Sequence, residues 1–122
     1  MNVQTWYKLW KKNTACQVFL YTALSDDLLI ICSNDGYVYV YDKKLGTRKW
    51  EYLTKGSVFS SPVIASGAVY IGSTDQNLYV LDASNGKFMW KYEAADKIYS
   101  APVVSDGTVF FSSVNGSLYA IK

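Results

Sequence analysis

An internal repeat of 40 residues limits what this chain can fold into more than any other feature of its sequence. Ser33, Ser73 and Ser113 stand 40 residues apart, and each begins a turn-like tetrapeptide that contains Asn or Asp. The same interval separates further residues, namely Trp10, Trp50 and Trp90, Asp42 and Asp82, Gly46 and Gly86, Pro62 and Pro102, and Gly67 and Gly107. No insertion or deletion interrupts this register after Trp10. A period of this length predicts a series of repeated supersecondary units.

Each repeat unit has the pattern of four short β-strands. In the middle unit, runs rich in Val, Ile, Tyr and Phe predict strands A, B, C and D over 58–64, 68–72, 78–82 and 87–92. The residues between these runs are Asn, Asp, Gly and Ser, which hairpin turns favour because their backbones reach positive φ most easily. No segment shows a sustained helical period. Four strands in a repeat of this length are typical of a β-propeller blade.

The repeat therefore predicts an all-β chain of three four-stranded antiparallel blades. The predicted strand order is D, ABCD, ABCD and ABC, in one domain that covers residues 1–122. The first D strand lies around 7–10 and the last C strand at 118–121. Pro62 and Pro102 have no N–H to donate, which places strand A at the inner edge of each sheet.

Three blades are too few to close a ring, because propellers have about four to eight. An isolated wedge of three would expose apolar blade faces and an unpaired strand edge. In one solution, two chains join head to tail into a six-bladed ring, and the N-terminal D strand of each completes the last blade of the other. In the other solution, the chain is part of a seven- or eight-bladed protein. We expect the first, a homodimer, because the register is clean at both ends of the sequence.

The composition excludes several classes of activity. The sequence has no histidine, which removes Ser-His-Asp and Cys-His nucleophiles and the HExxH metal site. A net charge of +2 supplies no basic surface for nucleic acid, and no apolar run is long enough to span a membrane. Cys16 and Cys32 are expected to be free thiols. The N-terminus lacks the apolar segment of a signal peptide, so the compartment expected by default is the cytoplasm.

The units resemble the pyrroloquinoline-quinone-like (PQQ-like) repeat. The matching segments are Leu-Tyr-Val-Leu-Asp-Ala-Ser-Asn-Gly-Lys-Phe-Met-Trp at 78–90, Ser-Ser-Pro-Val-Ile at 60–64 and Val-Tyr-Ile-Gly-Ser at 69–73. The resemblance implies a tryptophan-docking motif, in which an indole packs between neighbouring blades while an Asp and a Gly fix the turn that precedes it. The motif residues are Trp10, Trp50, Trp90, Asp42, Asp82, Gly46 and Gly86. Trp6 stands at the repeat position of Gly46 and Gly86, so the first copy departs from the motif there.

The PQQ-like family includes quinone-dependent dehydrogenases, a lipoprotein of the outer-membrane barrel assembly machine and sensor domains attached to kinases. For a dehydrogenase, the resemblance implies a vicinal disulfide over the quinone, a calcium ion and an aspartate base. Cys16 and Cys32 are not adjacent, and the only glutamates, Glu51 and Glu93, lie beside the repeated tryptophans. A calcium site needs several converging oxygen ligands. We therefore predict no catalytic residue, no metal site and no cofactor, with quinone-dependent catalysis as the alternative.

Candidate binding residues follow from the propeller architecture. The D–A and B–C loops lie on one face, and binding in propellers gathers around the channel mouth by analogy between folds. The residues selected in this way are Lys55, Lys97, Asp35, Asp75, Asn115, Ser60, Ser100, Phe59 and Tyr99. Their mixture of charged and aromatic side chains suits a peptide or a polar ligand. The sequence thus predicts a non-catalytic scaffold that binds a protein or peptide, and the alternatives are a dehydrogenase fragment or the ligand-sensing propeller of a receptor or kinase.

Overall fold

A computed structural model describes residues 7–11, 18–25 and 27–122 of the chain. This part of the chain contains eleven β-strands and no helix. The strands form three antiparallel sheets, which confirms the predicted all-β fold of stacked blades. None of the described residues belongs to a helix that is long and apolar enough to cross a membrane.

The sheets follow one another along the chain, and within each sheet the strands lie in sequence order. The first sheet contains β1 (Val18–Leu24), β2 (Leu28–Ser33), β3 (Tyr37–Asp42) and β4 (Arg48–Leu53). The second contains β5 (Val63–Ala65), β6 (Ala68–Gly72), β7 (Asn77–Asp82) and β8 (Phe88–Glu93). The third contains β9 (Val103–Ser105), β10 (Thr108–Ser112) and β11 (Leu118–Ile121).

The inner strand of the second sheet is shorter than the sequence predicts. Strand A is expected over 58–64, whereas β5 begins at Val63 and has three residues. Pro62 has no N–H for a ladder, so the pairing with β6 starts only after it. Val58 lies in the segment before β5 and is fully buried. The apolar residues that precede the proline therefore contribute packing instead of strand pairing.

The hairpins between β5 and β6 and between β9 and β10 are tight two-residue turns. Ser66 and Gly67 have φ of 50° and 75°, and Asp106 and Gly107 have φ of 51° and 75°. Positive φ at both central positions is typical of a type I′ turn, whose twist matches that of paired strands. The turn that the sequence predicts at Ser66-Gly67 is therefore present, and it recurs one repeat later.

The third and fourth strands of the two complete sheets share the same register. Val40 faces Trp50 in the β3–β4 ladder, and Val80 faces Trp90 in the β7–β8 ladder. Directly after each of these pairs, the register shifts by one residue in a β-bulge. The bulge recurs after 40 residues, so each complete blade presents its tryptophan at the same place.

The apolar core lies between the sheets. The first core contains Ile30, Val38 and Val40 of the first sheet and Val69, Ile71 and Leu81 of the second. The second core contains Leu78 and Ile98 together with Val109 and Phe111 of the third sheet. Because successive side chains of a strand point to opposite faces, the second sheet contributes one face to each core. This is the packing expected of neighbouring propeller blades.

Candidate functional site: blade junctions and channel-side loops

Two of the three repeated tryptophans connect one blade to the next. Nε1 of Trp50 on β4 donates a hydrogen bond to the carbonyl oxygen of Ala83, 2.9 Å away. Nε1 of Trp10 donates to the carbonyl oxygen of Lys43, also at 2.9 Å. Each acceptor follows its tryptophan by 33 residues and lies in the turn between the third and fourth strands of the next sheet. A buried indole needs a partner for its N–H, and the turn backbone supplies it.

A glycine in the same turn makes room for each indole. A Cβ placed on Gly46 would lie 2.5 Å from the ring of Trp10, and one on Gly86 would lie 2.4 Å from the ring of Trp50. The two glycines also have positive φ, 74° and 75°. Space and backbone conformation therefore both favour glycine at these positions.

Asp42 and Asp82 shape the turns that receive the tryptophans. Oδ1 of Asp42 accepts hydrogen bonds from the backbone N–H groups of Lys44 and Leu45 at 2.9 and 2.8 Å. Oδ1 of Asp82 accepts from the backbone N–H and the hydroxyl of Ser84 at 2.8 and 2.6 Å. These donors lower the pKa of both carboxyls, and the largest cause is the Leu45 amide for Asp42 and the Ser84 hydroxyl for Asp82. Both aspartates therefore act within the turns in their ionised form.

Trp90 has a different environment from Trp50. Trp50 is 9% exposed, whereas Trp90 is 37% exposed. The repeat position that corresponds to the Ala83 carbonyl for Trp90 lies 40 residues after Ala83, which is beyond Lys122. The structure thus places the other six residues of the predicted motif in two junctions and leaves Trp90 partly open to solvent.

The predicted binding residues Asp35 and Asp75 are hydrogen-bonded within their own blades. Oδ2 of Asp35 accepts from the Tyr39 hydroxyl at 3.1 Å, and Oδ2 of Asp75 accepts from the Tyr79 hydroxyl. Asp75 also accepts from the backbone N–H of Lys55 at 3.0 Å, which links the second blade to the loop that leaves the first. Burial and the bond to Asp75 raise the pKa of Tyr79, so this phenol stays protonated as the donor.

The remaining charged and amide positions of the prediction lie at the loop surface. Oδ1 of Asn115 accepts from the backbone N–H of Ser117 at 3.1 Å, which holds the turn before β11. The carbonyl oxygen of Lys97 accepts from the N–H of Val114 at 2.8 Å. The side chains of Lys55 and Lys97 are exposed. These loops are therefore ordered by their backbones, and their lysines point outward.

Ser60 and Ser100 fasten the segment before strand A to strand B. Oγ of Ser60 donates to the carbonyl oxygen of Gly72 at 3.0 Å and accepts from the N–H of the same residue at 2.9 Å. Oγ of Ser100 makes the same pair of bonds with Ser112, both at 3.1 Å. The two serines thus replace ladder hydrogen bonds where strand pairing has not yet begun.

Phe59 and Tyr99 form an aromatic pair on the channel side. Their ring centroids lie 5.4 Å apart, and Tyr99 is 46% exposed. A cavity of about 350 Å³ lies beside Tyr99, and its lining includes Ser100, Ser112 and Val114. Of the predicted binding residues, the structure therefore brings Phe59, Tyr99 and Ser100 together, while the turn carboxylates lie in separate blades.

Sequence reasoning missed a groove between the first two sheets, on the side of the turns that receive the tryptophans. It has a volume of about 520 Å³. Its lining includes Asp27, Leu28, Lys49, Ile64, Asp82 and Ser84. Asp27 stands at the repeat position of Gly67 and Gly107. This departure from the repeat is the signal that could have drawn attention to the groove.

The described residues do not fit a calcium-bound quinone. No three Cys, Asp or Glu side chains within the described ranges are grouped so that they could hold a metal ion, whereas calcium needs several converging oxygens. Cys32 is a buried free thiol, and burial raises its pKa to about 12. Cys16, the other cysteine expected to be free, lies outside the described residues.

The match to a known family covers nearly the whole chain. A family model for the outer membrane protein assembly factor BamB matches residues 8–122. The chain belongs to this family. The fold, the 40-residue register and the tryptophan-containing turns described above are those of a BamB-like, PQQ-like propeller.

Solved structures show the same likeness. BamB from Moraxella catarrhalis is 25% identical with a TM-score of 0.82, and the match covers 93% of this chain but 36% of that one. Quinohemoprotein alcohol dehydrogenase from Pseudomonas putida HK5 is 23% identical with a TM-score of 0.74, covering 81% and 18%. The computationally designed protein Ika4 is 16% identical with a TM-score of 0.74, covering 83% and 64%. This BamB-like chain therefore spans about a third of the length of the BamB structure it matches. No curated protein matches it significantly in sequence.

Proposed function

We propose that the protein is a non-catalytic β-propeller scaffold that binds a protein or peptide partner. The observation that carries this proposal is the difference between the polar and the aromatic residues on the channel side. The carboxylates and serines there are engaged in hydrogen bonds that shape turns, whereas Tyr99 is 46% exposed beside a cavity. Exposed aromatic side chains next to a groove are typical of protein-binding surfaces. Membership of the BamB family supports the same role.

The charge around the aromatic pair indicates the kind of partner. Lys55 and Lys97 are exposed in the loops next to Phe59 and Tyr99, one in each blade. Apolar anchors with a polar rim are the usual composition of an interface. The site therefore suits a peptide segment with an apolar or aromatic anchor and acidic neighbours.

A displayed peptide library tests this proposal. Peptides selected on the immobilised protein are synthesised with a fluorescent label, and their affinity is measured by anisotropy. We expect Tyr99→Ser to weaken binding about tenfold or more, as loss of an aromatic anchor does. The matched control is Phe88→Ser, which removes a similarly exposed ring (48%) from the outermost strand β8 and leaves binding unchanged. Equal affinities for the wild type and Tyr99→Ser contradict the proposed site.

The alternative function is a fragment of a quinone-dependent dehydrogenase. The structural likeness to the quinohemoprotein alcohol dehydrogenase favours it, although at 23% identity that likeness concerns the fold. The described carboxylates do not converge on a calcium site. We therefore expect no change in protein fluorescence when pyrroloquinoline quinone is titrated in the presence of calcium. Saturable quenching in that titration supports the dehydrogenase and contradicts the scaffold.

We further propose that a second copy of the chain completes the propeller as a six-bladed ring. The described residues form three blades, and the last of them contains three strands. A three-bladed wedge cannot close on itself, and two wedges related head to tail satisfy each other's open ends. Sedimentation of the purified protein tests this arrangement, since a dimer supports it and a stable monomer contradicts it.

A further inference from the structure

The third sheet presents an unpaired strand edge. β3 and β7 each pair with a fourth strand, whereas β11, at the same repeat position, pairs only with β10 among the strands that the structure describes. The backbone N–H and C=O groups along the outer edge of Leu118–Ile121 therefore form a template for one more strand.

The outward face of this sheet is apolar and exposed. Leu118 is 78% exposed, whereas its repeat equivalents Val38 and Leu78 are fully buried. Phe110 is 40% exposed, whereas its equivalent Ile30 is fully buried. A face that packs against the next blade twice in this chain, and is open the third time, has the composition of an inter-blade contact.

Residues 7–11, at the other end of the described chain, have the complementary property. The indole of Trp10 binds the Lys43 carbonyl and lies against Gly46. This segment therefore holds the same place against the first sheet that β4 holds against the second. It forms no ladder with any strand of the described chain, although the sequence predicts a D strand there. It is a positioned segment that lacks a sheet.

We propose that residues 7–11 of a second copy pair with the outer edge of β11 and complete the third blade. This inference rests on the proposed homodimer and adds the element that joins its two copies. The donated segment carries Tyr7 and Trp10, and aromatic residues favour strands. Its place against its own first blade is set before the copies meet, so the association orders little additional chain.

The complete blades define the register of the pairing. Tyr39 faces Glu51 in the first blade, and Tyr79 faces Lys91 in the second. The third member of this series is Tyr119. The same register places it opposite Lys11 of the partner subunit.

The sequence also limits how the two copies join. Trp6 stands at the repeat position of Gly46 and Gly86, where even a Cβ would come within 2.5 Å of an indole ring. The partner's Trp6 therefore cannot receive Trp90 in the way that Gly86 receives Trp50. Strand pairing and apolar contacts, without a third buried indole hydrogen bond, join the two copies.

Disulfide trapping between two variants of the full chain tests the register. Tyr119→Cys and Lys11→Cys, each combined with Cys16→Ser, are mixed, refolded together in reducing buffer and then oxidised. Cys32 is retained because its thiol is buried. Directly opposite positions in a ladder come close to disulfide distance, so we expect a linked dimer. The matched control replaces Lys11→Cys by Leu9→Cys, because Leu9 falls at the bulge and faces no residue.

Two further variants keep the test decisive. The Tyr119 ring stacks on Phe111 at 4.9 Å, so its loss affects packing. A photoreactive benzophenone at the exposed Ala120 leaves that packing intact and, with an isotope-labelled second copy, identifies links between chains. Tyr79→Cys with Lys91→Cys in one chain shows whether this ladder position accepts a disulfide within a complete blade.

The outcomes separate this inference from the proposed homodimer. A dimeric mass, about tenfold more linkage to Lys11→Cys than to Leu9→Cys, and photo-crosslinks to residues 7–11 support the strand exchange. A dimeric mass with equal linkage and crosslinks elsewhere overturns the strand exchange while the homodimer stands. A monomeric mass without intermolecular links overturns both.

Discussion

The indole N–H of Trp50 lies 2.9 Å from the carbonyl oxygen of Ala83, and this bond crosses from the first blade to the second. Trp10 repeats it with Lys43 at the same distance and the same separation of 33 residues. Each blade is therefore joined to the next by one side chain that reaches into one turn. The third tryptophan of the series, Trp90, has its repeat acceptor beyond Lys122.

Loss of a tryptophan is expected to have a different effect in the two complete blades. Trp50→Ala removes a buried indole and its hydrogen bond, and should lower the free energy of unfolding by about 3–5 kcal/mol. Trp90→Ala removes a side chain that is already partly solvated, and should cost roughly 1–2 kcal/mol. Urea unfolding followed by circular dichroism measures both. Equal losses for the two variants contradict the account of the junction.

The glycine that receives Trp50 can be separated from glycines that only turn the chain. Gly86 and Gly67 have the same φ, +75°, but only Gly86 has an indole where its Cβ would be. Gly67→Ala should therefore cost about 1 kcal/mol from backbone strain. Gly86→Ala should cost roughly 1–3 kcal/mol more, from overpacking against the ring. The difference between their melting midpoints in urea measures this contact, and identical midpoints contradict it.

The stability of the protein should fall in acid partly through Asp82. Its pKa in the folded protein lies below 3.8, chiefly because the Ser84 hydroxyl donates to it. A lowered folded pKa means that its contribution is present above the pKa of the unfolded chain and is lost as the pH falls through the folded value. Carboxyl carbon shifts measured by NMR between neutral pH and about pH 2 follow this titration.

The hydroxyl donor provides the control for this titration. Ser84→Ala should raise the pKa of Asp82 and reduce the loss of stability in acid. The pKa of Asp42, which is lowered mainly by the Leu45 amide in the other turn, should not change. A pKa of Asp82 that is the same with and without the Ser84 hydroxyl shows that the hydroxyl is not the cause.

A charge on the outward face of the third blade should prevent assembly. Leu118→Glu places a carboxylate on the face where the repeat-equivalent Leu78 is buried, and we expect sedimentation to show a monomer. Leu53→Glu is the matched control, because Leu53 is 54% exposed at the end of β4 and its repeat equivalent in β8 is Glu93. A dimer that tolerates Leu118→Glu as well as Leu53→Glu excludes this face from the interface.

The blades could be predicted from the sequence because every turn residue recurs at a fixed interval. The limits of that prediction appear where pairing depends on a partner. Pro62 delays the start of β5, since the residues before it pack without a ladder. Residues 7–11 have the composition of a strand but find no neighbouring strand in the described chain. Strand propensity is local, whereas a ladder needs a second strand.

The candidate site was less predictable than the fold. Asp75 was selected as a binding residue, yet the structure shows it accepting bonds from Tyr79 and from the Lys55 backbone. Residue type alone does not reveal whether a carboxylate is engaged by its own turn. The aromatic pair of Phe59 and Tyr99 could be placed because both residues occupy the same repeat position.

The native mass of the purified full chain, recorded by mass spectrometry over a dilution series, tests the central claim most directly. One copy has a mass of 13.7 kDa. Completion of the propeller by a second copy predicts a species of twice that mass which persists on dilution. A folded species of 13.7 kDa at every concentration contradicts it.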